Sequence, residues 1–368
     1  MLNEYPSSYV PFVRMYNSYI LNPADSFETV ALTLFGVQSQ VFNASAIAFA
    51  LRTQQQSFTQ FMGLLKTLRL VRLWGIRTTL HIYHKDDWES LLAYLSTTGN
   101  WYRSKMTARG VDVERIVNKA LKIMDGIDYF DRNVLINNGI DTEHLGSWGD
   151  LLIELNNRGY IFRRTDSSGR NRLFGNTRVV LGRKMKITRK ITDVRRCIAL
   201  RFFHAYAPAT LHDFSHWLGI TLHESKKYLR LVENDLMPVM CGDKMYFIES
   251  AKKEVFDQVL QEHIDDTCYR LLPKFDPLLL AYRDKTWIIE ECSYSRIWRT
   301  AGHVEGVVLN RGKAIATWRY QLTNKDISFV VTPFRCRFSV KNIEKNCRKI
   351  ASFFERPIGK IIISDNLL

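Results

Sequence analysis

The sequence predicts a mixed α+β protein: tandem winged helix-turn-helix units, three in number, followed by a C-terminal β-rich subdomain. Three observations predict it. Apolar residues recur at helical spacing through most of the chain. Polar turns bracketed by β-branched and aromatic runs follow each group of helices. Beyond Leu271 the helical period gives way to strand-like alternation. Helices that close in a short strand pair suggest a winged helix. The expected units are residues 1–110, 111–193 and 194–265, with an α/β cap at 266–368.

In the first unit, Asp25-Ser26-Phe27-Glu28 is a helix start and Gly36 ends the apolar run behind it. A small-residue helix, Asn43 to Arg52, and a helix from Ser57 to Leu68 come next. Leu70 to Tyr83 reads as strand, and a helix from Asp86 or Asp87 to Tyr94 closes the unit. The second unit has helices at Asp112–Met124, Phe130–Asn137 and Trp148–Asn157. Its strand pair, from Tyr160 and from Asn171, is separated by the turn Asp166-Ser167-Ser168-Gly169. The third has helices at Arg195–Tyr206, Thr210–Leu218 and Leu222–Glu233, then a hairpin around Cys241-Gly242-Asp243-Lys244. The cap offers strands at Trp287–Ile289, Gly306–Leu309, Ala314–Trp318 and Ile327–Thr332, and a helix at Lys341–Phe354.

With 46% hydrophobic and 12% aromatic residues, the 368-residue chain excludes a disordered class. No run approaches the ~20 apolar residues of a membrane span, and the N-terminus lacks a secretion pattern. Six cysteines without a Cys-x-x-Cys pair fit a reduced cytosol. A soluble, cytoplasmic, nucleoid-associated monomer with no membrane contact is expected. The formal charge is +15, and Arg163 to Arg196 carries twelve Lys or Arg against Asp166 and Asp193, a local +10. A field of that size attracts a polyanion.

The remaining signal is Gly36-Val37-Gln38-Ser39-Gln40. On a helix, residues two apart point roughly 200° from each other. On an extended approach they share a side, and Gly36 tolerates the positive φ such an approach needs. Asn43 or Ser45 is available to cap the following helix. Two carboxamides are then presented near a helix N-terminus, although two surface glutamines remain the plainer reading of this motif alone. Lys66, Arg69 and Arg72, spaced by three, suit phosphates if helical, with a solvated stripe as the default. His212 and His216 lack a third ligand at motif spacing, so no metal or cofactor is expected.

Five blocks, taken in order, resemble a known family. They are Gly36–Gln40, Arg72–His81, Pro208–Gly219, Leu271–Pro277, and Gly306–Leu309 with Thr317-Trp318-Arg319. The chain resembles the winged-helix DNA glycosylases of the AlkZ-like type. The resemblance implies tandem winged helices and excision of alkylated (N7-alkylguanine-type) purines from double-stranded DNA. Gln38 and Gln40 match its catalytic Gln-aliphatic-Gln motif, with Ser39 where an aliphatic residue is usual and Thr78 where glycine is usual. Glutamine rather than aspartate at the second position points to the branch that unhooks interstrand crosslinks. A DNA interface is expected from Arg69, Arg72, Arg77, His81, Arg163, Arg164, Arg170, Arg172, Arg178, Arg183, Lys184, Lys186, Arg311 and Lys313. The turn Asn310–Lys313 is a candidate duplex wedge, with an ordinary sheet hairpin as its alternative. A non-catalytic winged-helix regulator is the rival reading.

Overall fold

The computed structural model describes residues 3–54, 56–98, 101–146, 149–166, 173–263, 269–334 and 339–364. The chain divides into two compact units: Met1–Gly63 together with Arg196–Leu368, and Leu64–Arg195.

The first unit holds two sheets. In the smaller, Asn3–Tyr5 pairs parallel to Leu236–Cys241, which forms an antiparallel hairpin with Lys244–Glu249. Two helices precede that hairpin. Leu211–Leu218 starts in a capping box between Thr210 and Asp213 and stops at left-handed Gly219 (φ 76°). Leu222–Arg230 then starts on Thr221. The larger sheet runs in the order Arg270–Leu272, Gly306–Asn310, Lys313–Leu322, Ile327–Pro333, Ile358–Ile363. Helix Val340–Phe353 links its last two, parallel strands and buries Ile343, Cys347, Ile350, Ala351 and Phe353. The aromatic core gathers Phe27, Phe49, Phe61 and Phe353, with Phe49 and Phe61 centroids 5.2 Å apart.

The second unit is built on one sheet in the order Leu80–His84, Leu70–Trp74, Ile161–Arg163, Phe174–Asn176, Tyr129–Phe130. Strand pairs expected to serve two separate units are therefore neighbours, with Arg72 opposite Arg163. Helix Val113–Ile123 buries Val117 and Ala120 against Leu135, Leu151 and Leu155. Asn156 fastens helix Asp150–Asn157 to the sheet, its Nδ2 donating to the Trp74 carbonyl at 2.9 Å.

Several expected elements shift. Tyr129–Phe130 is a strand, and the helix begins later, at Arg132–Asn137, because Asp131 Oδ1 caps it. Trp287–Ile289 is a turn rather than a strand, closed by Ile288 and Ile289 N–H groups donating to the Lys285 carbonyl. The helix behind Ser57 ends at Lys66, so Arg69 and Arg72 do not continue a helical stripe. The expected turn residues Ser167 to Gly169, with Arg170 and Arg172, lie outside the described residues.

Candidate active site

Helix Phe27–Leu34 starts on Ser26, whose Oγ accepts from the Thr29 N–H at 3.0 Å. It ends on two successive left-handed residues, Phe35 (φ 50°) and Gly36 (φ 88°). The Gly36 N–H donates to the Ala31 carbonyl at 3.0 Å, which satisfies an end group and turns the chain out of the helix. Extended Val37–Gln38 follows, then Ser39 and Gln40, and the next helix is Phe42–Arg52.

Neither Asn43 nor Ser45 caps that helix; Val41 stands at the N-cap and makes no side-chain cap bond. Ser45 is used elsewhere. Its Oγ donates to the Phe42 carbonyl at 2.6 Å and lies 3.0 Å from the Ser39 Oγ. The single Ser45 proton is committed to the carbonyl, so Ser39 is the donor between the two hydroxyls. Ser39 is fully buried, and this bond removes the cost of burying its hydroxyl. Gln38 is 8% exposed, whereas Gln40 faces solvent two residues ahead of the helix. One amide is enclosed and the other open.

The far end of the helix is locked as well. Arg52 Nη1 and Nη2 donate to the two Asp276 oxygens at 2.8 and 2.7 Å, with both side chains fully buried. Asp276 also caps the short helix Pro277–Leu280, accepting from the Leu278 N–H at 3.0 Å. Asp276 thus fixes the turn into that helix and at the same time holds an arginine 224 positions away in the chain.

In the second unit, strand Leu70–Trp74 passes to Leu80–His84 through Arg77 (φ 55°) and Thr78 (φ 56°). Left-handed backbone at a β-branched residue is strained. Glycine, usual at Thr78 in the resembled family, adopts it freely. His81 is 3% exposed, and its Nδ1 lies 3.0 Å from the Thr79 carbonyl, which fixes the proton on Nδ1. Burial pushes its pKa down to about 3, with Arg77 adding to the effect and the Thr79 bond opposing it. His81 is a neutral acceptor at Nε2, not a phosphate-binding cation. Arg72 is likewise no surface group. It is buried, donates to Thr165 Oγ1 at 3.0 Å, and is pushed down to about 9 by burial and by Arg163. Arg69 is exposed and Arg77 half-buried.

The basic segment carries its charges on aromatic supports. Arg163 lies over Phe174 at 4.7 Å and Arg164 over Tyr129 at 4.0 Å. Arg178 and Lys184 approach the Tyr160 ring at 5.0 and 4.3 Å. Arg178, Arg183 and Lys186 are exposed. Glu89 pins the segment's end, accepting from Thr188 Oγ1 at 2.6 Å and the Arg189 N–H at 2.7 Å. Those bonds, the Thr188 hydroxyl's first, hold its carboxyl below the usual range.

The turn Asn310–Lys313 is a packed sheet hairpin rather than a projecting wedge. A Cβ at Gly312 would stand 2.3 Å from Pro11 Cβ, so the tip sits against helix Tyr9–Asn17. Lys313 Nζ donates to the Thr286 and Trp287 carbonyls at 3.3 and 2.8 Å, and both Arg311 and Lys313 are exposed residues of the turn.

A family model described as "DNA glycosylase AlkZ-like" matches residues 32–341. The chain belongs to the AlkZ-like DNA glycosylase family. Over 340 residues it is 26% identical to the interstrand DNA cross-link repair glycosylase of Streptomyces sahachiroi, covering 86% of this chain and 88% of that protein. The solved structure of Streptomyces sahachiroi DNA glycosylase AlkZ shares its fold at a TM-score of 0.82 and 23% identity. That likeness covers 98% of this chain and all of the other. An AlkZ-like glycosylase hydrolyses an N-glycosyl bond in DNA, and the matched region includes the whole Gly36–Gln40 segment. No helix among the described residues is long and apolar enough to cross a membrane.

Proposed function

We propose that this member of the AlkZ-like family releases N7-alkylguanine-type purines from duplex DNA, interstrand crosslinks included, with Gln38 and Gln40 aiming the hydrolytic water. The reaction needs a departing base, a stabilised oxocarbenium-like sugar and a water at C1′. A carboxamide has no useful pKa and cannot act as a general base at neutral pH. Its oxygen accepts from a water proton and lends its dipole to the growing positive charge, while its NH₂ donates. That suits a base that is already cationic and leaves without being protonated.

The observation that carries this reading is the posture of the motif. The enclosed amide of Gln38 ends a two-residue extended run and the open amide of Gln40 lies in the bend beyond it, between a left-handed helix stop and a helix whose other end is locked by a buried ion pair. Preorganised dipoles of this kind cost no rearrangement during reaction. We further read the chain as three tandem winged-helix units with a C-terminal cap, acting as a monomer in the nucleoid; the helix, helix, hairpin order from Leu211 to Glu249 supports the third unit.

The test is single-turnover excision of N7-methylguanine from a duplex, read as abasic-site cleavage. The double variant Gln38→Ala/Gln40→Ala is expected to lose excision by at least about 100-fold, the scale of one positioned dipole in a protected site, with duplex affinity unchanged. Excision at the wild-type rate by that variant defeats the mechanism.

A further inference from the structure

Glu305 is 1% exposed, and a carboxylate taken out of water must be compensated. Arg319 Nη2 donates to its Oε1 at 2.6 Å and Arg319 Nε to its Oε2 at 3.3 Å. That forked contact already neutralises the charge. Two more permanent cations nevertheless converge on it. Lys274 Nζ is 3.2 Å from Oε2 and Arg299 Nε is 3.4 Å from Oε1. His303 completes the ring, its Nε2 accepting from Lys274 Nζ at 3.1 Å and lying 3.9 Å from Glu305 Oε1. Three cations against one carboxylate leave a surplus of two positive charges. Among the described residues, no second carboxylate pairs with any of the three cations.

The surplus faces outward: Arg319 is 59% and Arg299 43% exposed, while the anion beneath them is covered. It is also rigidly mounted. Lys274 follows strand Arg270–Leu272, Arg319 lies on Lys313–Leu322, and Glu305 immediately precedes Gly306–Asn310. Arg299 and His303 close a small loop, the Arg299 N–H donating to the His303 carbonyl at 2.8 Å, and the Glu305 N–H donates to the Ile297 carbonyl at 2.9 Å. Burial pulls the Glu305 carboxyl upward, but the hydrogen bonds from Arg319 and Lys274 outweigh it and hold it ionised below its ordinary range.

We propose that the Glu305-centred cluster is a phosphodiester-binding site, in which one buried carboxylate splays Arg319, Arg299 and Lys274 so that their outer N–H groups take a phosphate of the DNA backbone. Long cationic side chains normally give up rotamer freedom on binding an anion. Here Glu305 has ordered them beforehand. The site is tied to the motif helix as well: Asp276, two residues after Lys274, holds Arg52 at the C-terminal end of Phe42–Arg52. That helix spans about 16 Å. A phosphate held here fixes the register of the duplex relative to Gln40 at the opposite helix end. The proposal rests on DNA as the ligand and not on the role of the two glutamines.

The experiment titrates an undamaged duplex by fluorescence anisotropy over about 50 to 300 mM salt, the range in which phosphate contacts are read from the slope of log K against log[salt]. Arg299→Gln/Arg319→Gln is expected to lower that slope by about 1 and to weaken binding about tenfold near 0.1 M salt, equally for unrelated sequences. The single Arg299→Gln variant keeps the forked Arg319–Glu305 contact, so it folds even where the double variant is impaired; a reduction in slope about half as large, at an unchanged melting temperature, is expected of it. Lys360→Gln removes an exposed charge from the same sheet and serves as the control. A wild-type slope in Arg299→Gln, or an equal reduction in Lys360→Gln, overturns the proposal, since the cluster is then merely structural or merely part of the net charge. Because no lesion is used, the outcome is independent of the excision test.

Discussion

His81 is held neutral by its surroundings, and that makes it a reporter of folding. An ordinary histidine titrates near 6.5, and this one is pushed down to about 3. A folded-state pKa below the unfolded one means that the unfolded chain binds the extra proton. Stability is therefore intact above the unfolded pKa and declines as pH falls from about 6.5 toward 3. Urea unfolding of the second unit at pH 5 is expected to show about 2 kcal/mol less stability than at pH 7, with the decline abolished in His81→Gln. The histidine was legible as a notable residue, because it stands in the Thr-Leu-His block; its burial was not, since neighbours along the chain do not fix solvent exposure. Ser39 teaches the converse. A hydroxyl in an apolar position demanded a partner, and the partner is Ser45, six residues on.

At the scale of elements, the helix Phe42–Arg52 is the piece on which the site hangs. Local signals located it: small residues favourable to a helix, a glycine upstream, a break after Arg52. Its anchoring is long-range, through a pair separated by 224 positions. Removing one partner of a buried ion pair leaves the other charge uncompensated, which typically costs 3–5 kcal/mol. Asp276→Ala is therefore expected to lower the stability of the first unit by about 4 kcal/mol in denaturant titration, against under about 0.5 kcal/mol for Asp243→Ala in the exposed turn before Lys244–Glu249. An equal, small effect at both sites would mean that the helix is held by its apolar face alone.

At the scale of the whole molecule, charge decides how the enzyme meets DNA. The net +15 supplies a long-range pull, and the basic segment concentrates it on side chains braced by Phe174, Tyr129 and Tyr160. Replacing exposed Arg178, Arg183 and Lys186 by glutamine is expected to lower the salt slope of duplex binding by up to about 3 without altering sequence preference. An unchanged slope would place the segment away from the duplex. These residues were legible because charge is additive along a chain. Arg72, counted with them, was not: its opposite neighbour Arg163 and its acceptor Thr165 are brought to it only by the sheet.

The sequence by itself determined what short-range physics can encode. It located most helices and their stops, put Gln38 on an extended run behind a left-handed glycine, and marked the cationic stretch. Only the tertiary structure decided which polar groups are covered and which sit together. It joined two expected strand pairs into one sheet, turned Trp287–Ile289 into a turn, seated Gly312 against Pro11, and gathered Lys274, Arg299, His303 and Arg319 around Glu305. The reason is physical: capping and periodicity act within a few residues, whereas burial and ion pairing depend on segments that meet only after the chain has closed loops hundreds of residues long.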